Sequence, residues 1–173
     1  MSFEVTSGYF QFDDIIDKLP AVYHAFALST LGLVERLVET SKLSNSTLVD
    51  ICAGTGRCAL NLASTARHVY AVELQRRPSL FACEQMKAEN IDNVTYLRAD
   101  TNALPLSSGS VDHAVGMWGA VDTGEAERVV RPGGRVFLGG CAPGNVIGEL
   151  SPIVGSLYGI SKDSPMAELF FAG

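Results

Sequence analysis

The sequence predicts an α/β fold, with helices on both faces of a mostly parallel, doubly wound sheet, in three layers. Short apolar runs that suit buried strands alternate along the chain with longer stretches of helical periodicity. Because a helical stretch separates each run from the next, neighbouring strands are expected to be parallel, with right-handed crossovers. The length of 173 residues fits a single domain that is large enough to bury a core.

The first predicted strand starts at Leu48 and leads into a turn of small residues. Within the turn, Gly54 and Gly56 can adopt positive φ at little steric cost. A helix is predicted to begin at Arg57. Since the N–H groups at the start of that helix face the turn, the strand, turn and helix together predict a ligand site.

Three classes of ligand site use a glycine-rich turn after a strand. A phosphate loop ends in Gly-Lys followed by Ser or Thr, which this turn lacks. The dinucleotide pattern requires three glycines, but Cys52 and Arg57 occupy two of those positions. Asp50 precedes the turn, fits neither pattern and indicates the third class, a site for S-adenosylmethionine. A structural turn without a ligand remains the alternative.

Acidic residues follow the next two predicted strands. The strand over 69–73 ends at Glu73, 17 residues beyond Gly56, where a carboxylate can accept both hydroxyls of a ribose. The strand over 94–98 leads to Asp100, which can accept a hydrogen bond from an adenine amino group. Because ligands bind beyond the carboxyl ends of parallel strands, we expect these acids to share one edge of the sheet with the turn.

The remaining elements complete the predicted sheet. The fourth strand is expected over 111–117, and the fifth over 136–139 after a turn at 131–135. A helix is expected over 76–90, and a short one of about two to three turns fits within 120–130. Five strands alternating with helices result.

Together these segments resemble the class I S-adenosylmethionine-dependent methyltransferases, which have a Rossmann-like fold. The segments that carry the resemblance follow the family's order and spacing and cover about half of the chain: Asp50 to Gly56, Glu73, Ala99-Asp100, 104–112 and 130–135. Within the superfamily, the chain looks most similar to the C-methyltransferases of ubiquinone and menaquinone biosynthesis and the small-molecule enzymes around them. Those enzymes tolerate a small residue other than glycine at the first turn position, which suits Cys52 and Ala53.

The resemblance implies S-adenosylmethionine as cofactor, S-adenosylhomocysteine as product and a small acceptor that is apolar or aromatic, such as a quinone. The residues expected to bind the cofactor are Asp50, Cys52, Ala53, Gly54, Gly56, Glu73, Leu74, Asp100, Thr101 and Met117. Those expected at the acceptor are Tyr9, Tyr23 and Trp118, with simple packing as the alternative for each. No catalytic base is assigned, because transfer from a sulfonium needs one only when the acceptor must lose a proton.

Two segments are expected within the single domain. Residues 1–46 are predicted to form helices that cover the site, and residues 47–173 form the S-adenosylmethionine-binding α/β domain. After the fifth strand, we expect the antiparallel strand pair that closes the sheet in the resembled family to be missing. Either the sequence is a truncated form of a longer protein, or a partner covers the open edge beside the fifth strand, for example a second copy of the chain in a homodimer.

Charge and composition argue against several classes of partner and site. The net charge of −6 argues against a nucleic-acid partner. The four cysteines form no C-x-x-C pair and do not cluster with the three histidines, so no metal site is predicted. No signal peptide and no apolar run of ~20 residues is found, so we expect a cytoplasmic protein without a transmembrane segment. A non-catalytic S-adenosylmethionine-binding homologue, accessory or regulatory, and an RNA or protein methyltransferase are the alternative functions.

Overall fold

The computed structural model describes residues 16–28, 43–117, 119 and 121–139, all within one compact unit, Ile16–Gly140. Tyr9, Trp118 and the segment after Gly139 lie outside the described residues. The expected loss of the C-terminal strand pair, the open edge and the domain boundary at residue 46 therefore stay predictions.

Five parallel strands form one sheet in the described residues. They are β1 (Thr47–Ile51), β2 (His68–Glu73), β3 (Val94–Arg98), β4 (Val111–Met117) and β5 (Val130–Gly139). Their order across the sheet is β3-β2-β1-β4-β5, and every neighbouring pair is parallel. The chain first adds strands on one side of β1 and then on the other, so the order reverses between β1 and β4. This confirms the predicted doubly wound α/β fold.

Helices connect or precede the strands in the described residues. They are α1 (Pro20–Leu28), α2 (Arg57–Ala63), α3 (Arg76–Ala88) and α4 (Thr123–Val129). Asp122 caps α4, because its Oδ1 accepts a hydrogen bond from the Glu125 backbone N–H at 2.9 Å. No helix in the described part of the chain is long and apolar enough to cross a membrane.

Apolar side chains cover both faces of the sheet. Because successive strand residues point to opposite faces, Leu48 and Asp50 face one side of β1 while Val49 and Ile51 face the other. The first face packs against residues of α2, and the second packs against residues of α4. Leu43, just before β1, is fully buried in the first cluster.

The segment 131–135 corrects one prediction. It was expected to be a turn before the fifth strand, but β5 already begins at Val130 and includes it. Pairing with β4 shifts between Val111 and His113, so the segment bulges within the strand. Asp112 holds this bulge, because its Oδ1 lies 2.7 Å from Arg131 Nε while its Oδ2 accepts the Thr47 N–H at 2.6 Å. One carboxylate thus ties β1, β4 and β5 together at the edge opposite the predicted site.

Candidate functional site

The turn between β1 and α2 is built from alternating left-handed residues. Gly54 and Gly56 have φ values of 54° and 82°, as their residue type predicted. Cys52 also has a positive φ, 61°, which the sequence did not indicate. The Ala53 N–H donates to the Val72 carbonyl oxygen at 3.0 Å, fixing the turn to β2. The chain therefore reverses within five residues, and α2 begins directly beside the end of β1.

Glu73 closes this turn from the end of β2. Its Oε2 accepts the Gly54 N–H and its Oε1 accepts the Gln75 N–H, each at 2.8 Å. The side chain is buried, with the residue 9% exposed. Each carboxylate oxygen has two lone pairs, so an oxygen that accepts a backbone N–H keeps capacity for a hydroxyl donor. The predicted ribose acceptor thus lies next to the predicted turn, and its role toward ribose stays a prediction.

Asp50 lies beneath the same turn and is 1% exposed. Burial, with a smaller contribution from the nearby Glu73 carboxylate, raises the pKa of its carboxyl to about 7. Hydrogen bonds from the Ala59 backbone N–H and the Cys58 thiol partly oppose this shift. Within the described part of the chain, Asp50 Oδ2 has no hydrogen-bond partner. Its predicted contact with the cofactor remains untested.

The raised pKa of Asp50 predicts a pH-dependent stability. Between about pH 4 and 7 the unfolded chain releases this proton while the folded chain keeps it, so the wild type loses stability as pH rises. Asp50→Asn removes that dependence. We expect its stability relative to wild type to increase by up to ~1.4 kcal/mol per pH unit over this window and to level off above about pH 7.

Urea unfolding of both proteins at a series of pH values measures this difference. A constant difference between Asp50→Asn and wild type across the window would show that the folded carboxyl is already ionised. Titration with S-adenosylmethionine then separates the two roles of Asp50. Weaker binding supports the predicted cofactor contact, and unchanged binding makes Asp50 a structural residue only.

Helix α1 contacts the turn from the N-terminal side. His24 Nδ1 lies 3.0 Å from Thr55 Oγ1 and forms a hydrogen bond with it. Burial lowers the pKa of His24, and the Arg57 cation lowers it further, so the imidazole is neutral at pH 7. The Tyr23 ring lies 3.7 Å from the point where a Cβ on Gly54 would be. Tyr23 therefore lies beside the turn, and its predicted role at the acceptor stays a prediction.

The loop after β4 contacts the turn from the other side. A Cβ on Gly119 would lie 2.7 Å from Cys52 Sγ, so only glycine fits there without a shift. The Cys52 thiol also donates to Thr101 Oγ1, after β3, at 3.7 Å. Met117 ends β4 and is 9% exposed. The structure thus brings predicted residues from β1, β3 and β4 together where the strand order reverses, as expected for a ligand site.

Leu74 and Asp100 lie at the ends of β2 and β3. Leu74 directly follows Glu73 and is 58% exposed, so it offers an apolar surface beside the predicted ribose site. Asp100 is exposed, and its Oδ1 accepts hydrogen bonds from the backbone and side-chain N–H groups of Asn102 at 2.9 and 3.0 Å. The predicted acceptor for the adenine amino group therefore caps its own loop.

Arg128 of α4 fixes the loop that follows Asp100. Its guanidinium donates to the carbonyl oxygens of Leu106 at 2.8 Å and Leu104 at 3.0 Å. Its Nε also lies 2.6 Å from Glu125 Oε1, and this partner lowers the pKa of the Glu125 carboxyl to about 2. No pattern in the sequence indicates these contacts of Arg128. In the described ranges, no group of three or more His, Cys, Asp or Glu side chains could hold a metal ion.

The left-handed conformation of Cys52 predicts that glycine at this position stabilises the turn. Non-glycine residues in this region cost ~1–2 kcal/mol, which glycine avoids. We expect Cys52→Gly to be ~1 kcal/mol more stable than Cys52→Ala, because both lack the thiol and only alanine keeps the Cβ. Thermal and urea unfolding measure the difference, and equal stability would mean that the turn relaxes around Cys52 without strain.

Comparison with known proteins identifies the family of the chain. The family model described as a methyltransferase domain matches residues 48–134. A protein from Methanothermobacter thermautotrophicus, provisionally assigned as cobalt-precorrin-6B C(15)-methyltransferase (decarboxylating), is 30% identical over 73% of the chain and 67% of its own length. The demethylmenaquinone methyltransferase of Protochlamydia amoebophila is 32% identical over 60% of the chain, which spans 47% of that protein.

A solved structure extends the likeness over more of the chain. It is a provisionally assigned S-adenosyl-L-methionine-dependent methyltransferase from Methanococcus maripaludis, with a TM-score of 0.61, 22% identity and coverage of 98% of this chain and 78% of that one. At this identity the likeness shows the fold, while the domain match and the 30% identical relative show the family. The chain therefore belongs to the class I S-adenosylmethionine-dependent methyltransferases.

Proposed function

We propose that the protein transfers the methyl group of S-adenosylmethionine to a small acceptor that is apolar or aromatic, such as a quinone. The observation that carries this proposal is the glycine turn braced by Glu73, which places a carboxylate at the end of β2 against Gly54. The similarity to a demethylmenaquinone methyltransferase supports a quinone-like acceptor. The chain spans about half of that relative, so a quinone-like acceptor is carried over to this chain only as a proposal.

The residues of the turn fit a cofactor with this chemistry. S-adenosylmethionine carries a sulfonium and an ammonium group, and two buried carboxylates, Asp50 and Glu73, lie at the turn. Asp50 Oδ2 is a buried acceptor with no hydrogen-bond partner in the described residues. Gly54 leaves space that a Cβ would fill against Tyr23. Glu73 would hold the ribose and Leu74 would cover the adenine ring.

The cofactor supplies a methyl group that is already activated by the sulfonium, so the protein has mainly to align the acceptor and exclude water. Helix α1 carries Tyr23 to the turn and is held there by the His24 hydrogen bond to Thr55. Met117, buried at the end of β4, presents an apolar thioether side chain to this edge of the sheet. These groups favour an apolar acceptor over a charged one.

Calorimetric titration with S-adenosylmethionine and then with S-adenosylhomocysteine is the first test. Micromolar binding of both ligands is expected for the wild type. Glu73→Ala is expected to bind both ligands more weakly, and Glu84→Ala, on the exposed side of α3, is its matched control. Binding by neither ligand would overturn the proposal and leave the turn as a structural feature.

The acceptor is tested with S-adenosylmethionine labelled in its methyl group and a panel of demethylated naphthoquinones, benzoquinones and polar phenols. Transfer to quinones that is reduced in Glu73→Ala at limiting cofactor and kept in Glu84→Ala supports the proposal. Cofactor binding without transfer to any member of the panel favours the accessory or regulatory alternative. Tight binding of RNA with a steep salt dependence would favour a nucleic-acid acceptor instead.

Two further expectations remain predictions. We expect the protein in the cytoplasm, and we expect two copies to associate through the edge of β5, which ends the sheet in the described residues. Light scattering of the purified chain measures the second expectation.

A further inference from the structure

Tyr96 lies on the same face of the sheet as the two buried acids of the site. Pairing places Asp50 opposite Ala71 and Ala71 opposite Tyr96, so the three residues form one row across β1, β2 and β3. Ala71 is fully buried and has the smallest side chain of the three. A long side chain on β3 can therefore extend over β2 toward the turn that follows β1.

The Tyr96 hydroxyl makes that contact. It donates to the Gly54 carbonyl oxygen at 2.7 Å, and the edge of its ring lies 3.4 Å from the point where a Cβ on Gly56 would be. Glu73 accepts the N–H of the same Gly54 at 2.8 Å. Both peptide groups of Gly54 are thus held by side chains, one from β2 and one from β3.

A planar trans peptide links the Gly54 carbonyl to the Thr55 N–H, and the two groups point in opposite directions. Fixing the carbonyl toward Tyr96 therefore turns the Thr55 N–H away from Tyr96. Burial raises the pKa of Tyr96 well above its ordinary value, and the neighbouring Asp50 and Glu73 carboxylates add to this. The hydroxyl is therefore protonated, and able to donate, at neutral pH.

We propose that Tyr96 is a positioning residue for cofactor binding, which sets the orientation of the Gly54–Thr55 peptide through its hydroxyl. The inference rests on the proposed function only in that the turn binds S-adenosylmethionine. Without the hydroxyl, a buried carbonyl loses its partner and the peptide is free to rotate, which is expected at glycine more than at any other residue.

Tyr96→Phe removes the hydroxyl and keeps the ring. Tyr70→Phe is the matched control, because Tyr70 lies on β2 and packs with the cluster on the opposite face of the sheet. We expect Tyr96→Phe to raise the dissociation constants of S-adenosylmethionine and S-adenosylhomocysteine about tenfold, equal to ~1.4 kcal/mol. We expect KM for the cofactor to rise by a similar factor with kcat nearly unchanged, and Tyr70→Phe to change neither.

A readout on the ligand-free protein separates positioning from general stability. In ¹⁵N-labelled protein, the amide signals of Thr55 and Gly56 should shift and exchange faster in Tyr96→Phe, and those of β4 should not. A lower melting temperature with unchanged affinity and unchanged Thr55 signals would overturn the inference. Failure of the wild type to bind either ligand would overturn the proposed function, and the amide signals would still decide whether Tyr96 orients the turn.

Discussion

Gly56→Ala is expected to destabilise the protein by ~2–5 kcal/mol and to abolish cofactor binding. Gly56 has a φ of 82°, where a residue with a Cβ costs ~1–2 kcal/mol. A Cβ here would also lie 2.9 Å from Ala82 Cβ and 3.4 Å from Leu60 Cγ. Overpacking of this kind costs a further ~1–3 kcal/mol, a large part of the ~5–15 kcal/mol that stabilises a typical domain.

Gly133→Ala separates these two contributions. Gly133 has nearly the same φ, 83°, but a Cβ there would meet nothing within 4 Å. The difference between the two alanine variants in urea unfolding therefore measures the contacts of the added Cβ with Ala82, Leu60 and Tyr96. A double-mutant cycle with Ala82→Gly, which includes the Ala82→Gly single variant, should give an interaction energy that isolates the contact with Ala82. Equal losses at Gly56 and Gly133 would show that α3 moves away from the turn without cost.

Glu73→Ala is expected to weaken binding of S-adenosylmethionine by ~1.5–3 kcal/mol, about 10- to 150-fold, because a charged acceptor for ribose hydroxyls is removed. The structure adds an effect on stability, since Glu73 also accepts the N–H groups of Gly54 and Gln75. Glu73→Gln should not rescue either property. Its amide has one acceptor oxygen, so its NH₂ group would face one of the two backbone donors.

A cofactor analogue without ribose hydroxyls distinguishes the direct role of Glu73 from its role in the turn. The wild type should bind 2′,3′-dideoxy-S-adenosylhomocysteine more weakly than S-adenosylhomocysteine, and Glu73→Ala should bind the two alike. Equal discrimination by both proteins would contradict the ribose assignment and leave Glu73 as a brace of the turn. Calorimetry supplies the affinities, and urea unfolding supplies the accompanying loss of stability.

The features of the site that the sequence predicted depend on residue type or on position along a strand. Gly54 and Gly56 were predicted to have positive φ because glycine tolerates it, and both do. Glu73 was placed at the end of a strand by the apolar run before it, and β2 ends there. Since the ends of parallel strands share one edge, local patterns were sufficient to bring these residues together.

Other features depend on contacts between distant residues. The sequence around Tyr96 predicts only that this residue lies in a strand. Its hydrogen bond to Gly54 also requires the register of β3 on β2 and the small side chain of Ala71 between them. The left-handed φ of Cys52 is set by the turn as a whole and has no signal in its residue type. The glycines and proline of 131–135 suggest a turn locally, but contacts with Asp112 draw them into β5.

The position of β1 between β2 and β4 bears on how the protein is made. The first three strands are contiguous in the chain and can pair once Arg98 has left the ribosome. Contacts across the other side of β1 require β4, and Gly119 reaches Cys52 only after β4 is complete. Such non-local pairing is slow compared with local folding. A nascent chain that ends before Gly119 therefore lacks one wall of the site, and cofactor in the cell can stabilise the fold only after that point in synthesis.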